Sequence, residues 1–375
     1  MTAHHAGAPG PDHPGADLDD RTGGGGPPAV RVRHRLSPWL RRLDPGYFAF
    51  VMATGIVAQA VHLDAEARLS GALLAVAVLA YLLLVAAYAG RATRYRREFL
   101  ADAMDPAKGF AYLTFVAGTN VLGAELSASG YPAVGAVLLA VAGLAWVVLS
   151  YGVPGAVMAH RGARATLAGA NGTWFMVVVA TQSVAVTAAG LPPSPVLSAV
   201  AVTCWSIGVV LYLVVAALVL SSLLLFRARP AEITPAYWVF MGSTAISVLA
   251  GARLLGLRPD PLLAAVRPAL AGVCVALWAF GTWLIPALIA VGVWRHVVRR
   301  VPLRYDPGVW SIVFPIGMYG VASRELGTAL RVDWLVTLGA GEGWVAFGVW
   351  LAGFTAMVAV ALRSLRRTGT GAQPA

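Results

Sequence analysis

Ten apolar stretches of 17 to 31 residues recur along this chain, and short, mostly basic loops separate them. Roughly 20 apolar residues are needed for a helix to cross the hydrocarbon core of a bilayer. The stretches are 47–63, 69–90, 109–126, 131–151, 170–189, 196–226, 235–256, 268–294, 308–330 and 343–363. Composition agrees: 58% of the residues are hydrophobic and 12% are charged, against about 25% charged in soluble domains. A soluble chain of this length could not bury so much apolar surface. The expected fold is therefore an all-α integral membrane protein of ten transmembrane helices.

The net charge of +11 comes almost wholly from arginine. These charges sit between apolar runs, which points to membrane topology and away from a nucleic-acid partner. With the apolar stretches taken as spans, 22 Lys and Arg residues fall on one side and six on the other. The positive-inside rule then places both termini in the cytoplasm. The arginine-rich, nearly lysine-free usage points to a GC-rich bacterial genome, and so to the plasma (inner) membrane. Residues 1–43 have no apolar run and read as a disordered cytoplasmic tail. His4, His5 and His13 read as part of that solvated tail, without a metal. Residues 44–365 form the membrane domain and 366–375 a cytoplasmic C-terminal tail. Cys204 and Cys274 lie in apolar runs, with no disulfide or zinc spacing.

The odd-numbered spans begin alike. Their openings are Asp44-Pro45-Gly46-Tyr47-Phe48, Asp105-Pro106 with Phe110 following, Asn171-Gly172-Thr173-Trp174-Phe175, Thr234-Pro235-Ala236-Tyr237-Trp238 and Asp306-Pro307-Gly308-Val309-Trp310. Each is a helix-capping residue, then often proline, then aromatics suited to the membrane interface. The starts are 61, 66, 63 and 72 residues apart, one helical hairpin per repeat. The odd spans hold 17 Ser, Thr, Asn and Gln residues and the even spans nine. Lipid disfavours such groups, so the odd helices are expected inside and the even ones outside. Polar packing between helices would enrich the same residues.

The segment Tyr47-Phe48-Ala49-Phe50-Val51-Met52-Ala53-Thr54-Gly55-Ile56-Val57 resembles the first helix of the tellurite-resistance/dicarboxylate transporter family. Trp310-Ser311-Ile312-Val313-Phe314-Pro315-Ile316-Gly317-Met318-Tyr319 resembles its ninth helix. That family is related to the slow-type guard-cell anion channels, and the resemblance covers residues 44–365. Ala53 departs from the glycine common in the first motif. The resemblance implies five quasi-repeated helical hairpins around a central pore lined by odd helices, usually in a homotrimer. It also implies that Phe314 occludes the pore. Pro315 beside it removes a backbone hydrogen bond and favours a kink that could swing the ring into the lumen.

Several other residues are candidates. Thr54 and Gly55 either line the pore or pack helices closely. Thr119, Asn120, Thr181, Gln182, Ser243 and Thr244 are mid-helix polar residues on odd spans, open to the same two readings. Arg253 and Arg324 either shape the outer mouth and attract anions or snorkel to the interface; Glu125 and Glu325 lie near outer ends too. No ionisable residue falls near the middle of a span, which favours a channel over a proton-coupled carrier. Glu98, Asp102 and Asp105 read as a solvated loop. The spacings HExxH and GxSxG are absent, so an enzyme is not expected, nor any cofactor. The expected function is channel-like transport of a small inorganic anion or dicarboxylate. The alternative is a proton-coupled C4-dicarboxylate carrier or a sulfite or tellurite exporter.

Overall fold

The computed structural model describes residues 39–64, 66–226, 229–230, 232–302 and 305–369. Residues 1–38, with the three tail histidines, and 370–375 lie outside them. Within the stretch read as tail, residues 39–41 are helical and Leu43 is buried. Among the described residues all regular structure is helical.

Ten long helices follow one another: α1 (Ala49–Leu63), α2 (Ala67–Arg94), α3 (Thr114–Ala128), α4 (Pro132–Ala168), α5 (Met176–Gly190), α6 (Pro195–Leu225), α7 (Val239–Gly256), α8 (Pro261–Val293), α9 (Trp310–Leu330) and α10 (Asp333–Gly369). A short helix, Arg96–Ala103, stands where the sequence suggested only a loop. Several even helices outrun their apolar stretches. α4 continues to Ala168 and α10 begins at Asp333, because a helix leaving the hydrocarbon can go on with polar residues in water.

The two sets differ in length and burial. Even helices run 28 to 37 residues, about 42–56 Å at 1.5 Å per residue. Odd helices run 15 to 21 residues. Every residue of α5 from Met176 to Ala189 is buried. The even helices keep most of their apolar surface exposed, as a lipid-facing layer does. The odd helices pack in a closed ring, α1 against α3, α3 against α5, α5 against α7, α7 against α9 and α9 against α1. Each even helix packs against its own hairpin partner and also touches the next odd helix, with α10 reaching back to α1.

Among the described residues seven helices are long and apolar enough to cross a membrane: all five even ones, and α5 and α7 with their leading turns. The count of ten expected from sequence is thus met on length and composition for seven. α1 and α3 are short, and α9 carries Arg324 and Glu325. All three are shielded by other helices, so lipid does not select their composition.

The repeated openings become a repeated local structure. Turns of 3-10 helix, Gly109–Leu113, Gly172–Phe175, Pro235–Trp238 and Pro307–Val309, lead into α3, α5, α7 and α9, and a turn at residues 45–48 leads into α1. Asp44, Asp105, Asn171 and Asp306 each accept a backbone N–H two residues on, at 2.7 to 2.9 Å. This is the Asx turn that short polar side chains favour. Thr234 departs from the expectation, because it makes no side-chain cap bond.

Candidate pore inside the inner ring

The five odd-helix starts converge. A cavity of about 570 Å³ is lined by Asp44, Ala107, Asn171, Thr234 and Asp306, among others, so every repeat contributes. Each helix start carries unsatisfied N–H groups and the equivalent of about half a positive charge. Five such ends face one vestibule. Asp44, Asp306 and Glu232 also line it. The two aspartates each use one carboxylate oxygen to cap their own turn, and Glu232 accepts the Arg229 backbone N–H at 2.9 Å.

Ser311, at the start of α9, is also part of the vestibule wall. Pro315 lies four residues further on inside that helix. Having no N–H, it leaves the Ser311 carbonyl without its helical partner. Phe314 is 1% exposed and belongs to the apolar core. Pro315 sits directly on Gly242 of α7, where a Cβ would lie 2.8 Å from the proline Cγ. The α7–α9 contact therefore requires glycine beside the Phe314-Pro315 pair.

The mid-helix polar residues have partners on other helices or on their own backbone. Thr54 donates to the Phe50 carbonyl at 2.8 Å and accepts from Trp350 Nε1 at 3.0 Å. Thr119 donates to the Phe115 carbonyl at 2.7 Å and lies 3.1 Å from the Tyr81 hydroxyl. Thr181 donates to the Val177 carbonyl at 2.7 Å and accepts from Trp146 Nε1 at 2.8 Å. These form a series. Trp205 Nε1 on α6 donates to the Ser247 carbonyl on α7 at 3.1 Å, and Trp278 Nε1 on α8 donates to Ser323 Oγ on α9 at 2.9 Å. Thus each even helix sends one aromatic hydrogen-bonding group to the next odd helix. Sequence reading missed this series. Its only trace was a Trp or Tyr within each even span.

The hydroxyl protons of Thr54, Thr119 and Thr181 are donated to backbone carbonyls one turn back. Ser243 and Thr244 likewise donate to Phe240 and Met241 carbonyls at 3.0 and 2.7 Å. Gly55 packs on Val121, where a Cβ would come within 2.7 Å of Cγ1. Asn120 Nδ2 donates to Ser183 Oγ at 3.0 Å, and Gln182 Nε2 to the Trp205 carbonyl at 3.1 Å. The amide oxygens of Asn120 and Gln182 are buried without a protein partner.

The arginines serve the far ends of inner helices. Arg324 pairs with Asp64 and donates to the Leu63 carbonyl at 2.6 Å, closing the C-terminal end of α1. Arg253 donates to the Val186 carbonyl of α5 at 3.2 Å. Cations at helix C-termini are stabilised by the free carbonyls and the dipole. Glu125, placed near a span end by the sequence, is in fact 1% exposed and is the one acidic side chain among the buried described residues. Ser70 Oγ donates to its Oε1 at 3.4 Å, and its Oε2 has no partner.

The inner ring is closed, and its short helices share one vestibule at their starts. The family model described as voltage-dependent anion channel matches residues 42–358. The chain belongs to the voltage-dependent anion channel family. An uncharacterised membrane protein of Mycobacterium tuberculosis is 48% identical over 159 residues, covering 42% of this chain and 81% of that protein. An uncharacterised transporter of Methanocaldococcus jannaschii is 23% identical over 323 residues, 83% of this chain and 91% of its own length. The family and these relatives indicate a membrane transporter or channel for anions rather than an enzyme.

Proposed function

We propose that the inner ring encloses an anion-selective, channel-like pore that opens from the vestibule and is closed by Phe314. The observation that carries this reading is the convergence of all five odd-helix starts on one cavity within a closed ring. Five positive helix ends concentrate anions there without a tight ligand cage, and weak stabilisation lets an ion leave again. Pro315 frees the Ser311 carbonyl and gives α9 a point of bending beside the occluding ring. All ten helices cross the bilayer in this reading, with the vestibule and both termini in the cytoplasm of the plasma membrane, as the arginine distribution favours. The chain works as a homotrimer, an assignment that rests on family resemblance. Arg253 and Arg324 shape the outer mouth. The pore wall is built from the odd helices around Thr54, Gly55, Thr119, Asn120, Thr181, Gln182, Ser243 and Thr244, with the unpartnered amide oxygens of Asn120 and Gln182 marking places for water.

A second reading is favoured by one observation. Glu125 is a buried carboxylate on an inner helix that makes no salt bridge among the described residues, and an intramembrane ionisable group often handles protons. It supports a proton-coupled C4-dicarboxylate carrier, or a sulfite or tellurite exporter.

The test is a planar-bilayer recording on purified protein under an anion gradient, wild type against Phe314→Ala. Larger anion current in the variant, reversing near the anion equilibrium potential, is the expected result. Silence from both proteins, with liposomes taking up malate or sulfite together with protons, would replace the channel with the carrier.

A further inference from the structure

A second cavity, of about 730 Å³, lies away from the vestibule. Its walls are the outer helices α4 and α6, and its floor is the inner helix α5 with its leading turn. Trp146, Pro154 and Met158 stand on one wall, Ile207 and Leu218 on the other, and Thr181 on the floor. None of its lining residues is charged. Pro154 cannot bond the Ser150 carbonyl, which weakens α4 along this wall. The rim is open and apolar: Tyr151 is 74% exposed and Met158 61%.

We propose that this slot binds one acyl chain of a membrane phospholipid from the leaflet on the vestibule side. The slot lies within the lipid-facing layer and has no charge, so water is a poor occupant. From Trp146 to Met158 the wall runs 12 residues, about 18 Å of helix, close to the roughly 15 Å that half a hydrocarbon core provides. Its floor is one helix layer, about 8–10 Å between axes, below the outer surface. That depth suits a flexible chain entering lengthwise better than side chains projecting from a second copy. The bound chain touches Trp146, the residue that holds Thr181 of the inner ring.

The test is native mass spectrometry of the full-length protein purified in mild detergent, comparing wild type with a slot-filled variant, Ser150→Leu combined with Leu211→Phe. One retained phospholipid per chain in wild type and its loss in the variant is the expected result. No retained lipid in wild type, or equal retention in both, overturns the proposal. Should the variant fail to fold, tryptophan emission of wild type minus Trp146→Phe is measured in nanodiscs. Loss of most of the Trp146 emission with acyl chains brominated near mid-chain, and none with aqueous iodide, supports the site. Iodide quenching, or a disulfide between copies through Tyr151→Cys with Trp146 shielded from bromine, assigns the slot to water or to a second copy instead.

Discussion

Trp350 and Thr54 stand 296 positions apart in the chain, yet the indole N–H of one donates to the hydroxyl of the other at 3.0 Å. The contact closes the last hairpin onto the first helix and completes the series of aromatic bonds between the outer and inner rings. Thr54→Val keeps the shape and strands a buried indole N–H. An unpartnered buried donor costs about 1–3 kcal/mol, so the variant should unfold at a lower temperature in detergent. Trp350→Phe on the Thr54→Val background should add less than it does alone. Strict additivity of the two would mean that the bond contributes nothing to ring closure.

The contact between Gly242 and Pro315 ties the packing of α7 on α9 to the proposed gate at Phe314. A Cβ on Gly242 would lie 2.8 Å from one ring carbon of Pro315 and 3.1 Å from another. Neither the ring nor the α7 backbone yields easily, so Gly242→Ala should displace α9 and Phe314 with it. Overpacking of this kind costs about 1–3 kcal/mol. We expect a lower unfolding temperature together with a changed anion current. Unaltered current in a destabilised variant would separate this contact from gating.

Asp306 contributes two opposing things to the vestibule, a cap and a negative charge. Asp306→Asn keeps an oxygen to accept the Gly308 N–H, now bonded at 2.7 Å, and removes the charge. Anion current should rise at low ionic strength, where charges act over about 30 Å, and approach wild type near 1 M salt, where screening cuts this to about 3 Å. A salt-independent difference would argue against an electrostatic role.

Much of this architecture was legible because lipid selects composition. The openings at Asp44, Asp105, Asn171, Thr234 and Asp306 mark the repeats, and the polarity of the odd spans marks the inner ring. The direction of each polar group was not legible. α5 is buried along nearly its whole length, so its sequence has no polar face to reveal which side faces the centre of the ring. Thr181 was therefore open to both a pore-lining and a packing role. Glu125 lies in the last turn of α3, near the outer end as read, but its burial comes from neighbouring helix ends, which a single span does not encode. The lengths of α4 and α10 were hidden because hydropathy reports the hydrocarbon and not the helix.

At the vestibule side, Arg91 is 2% exposed and pairs with Asp102, and it also donates to the Tyr112 hydroxyl at 3.2 Å. Lys108 joins the same carboxylate at 3.2 Å. The sequence reading of Asp102 as a solvated loop residue is thus replaced by a tie between α2 and the entrance to α3. Removing one partner of a buried pair leaves an uncompensated charge and costs about 3–5 kcal/mol. With Asp102 partly open to water, Asp102→Ala should fall at the lower end of that range, read by denaturant unfolding. Asp102→Ala combined with Arg91→Met should recover part of the loss.

Glu125 separates the two functional readings. Its side chain has one long hydrogen bond, from Ser70 Oγ, and an unpartnered oxygen. Burying an unpaired carboxylate is costly, whereas a neutral amide of the same shape loses little by it. Glu125→Gln should therefore remain folded, because the carboxylate makes no salt bridge among the described residues. Under the channel reading, this variant should carry an anion current that reverses at the same potential as wild type. Under the carrier reading, the same substitution removes the proton site, and proton uptake accompanying the solute should disappear while solute binding persists. Recording current and proton flux on one preparation of Glu125→Gln distinguishes the two, because a folded protein with intact current and no proton flux in either form leaves Glu125 no part in coupling.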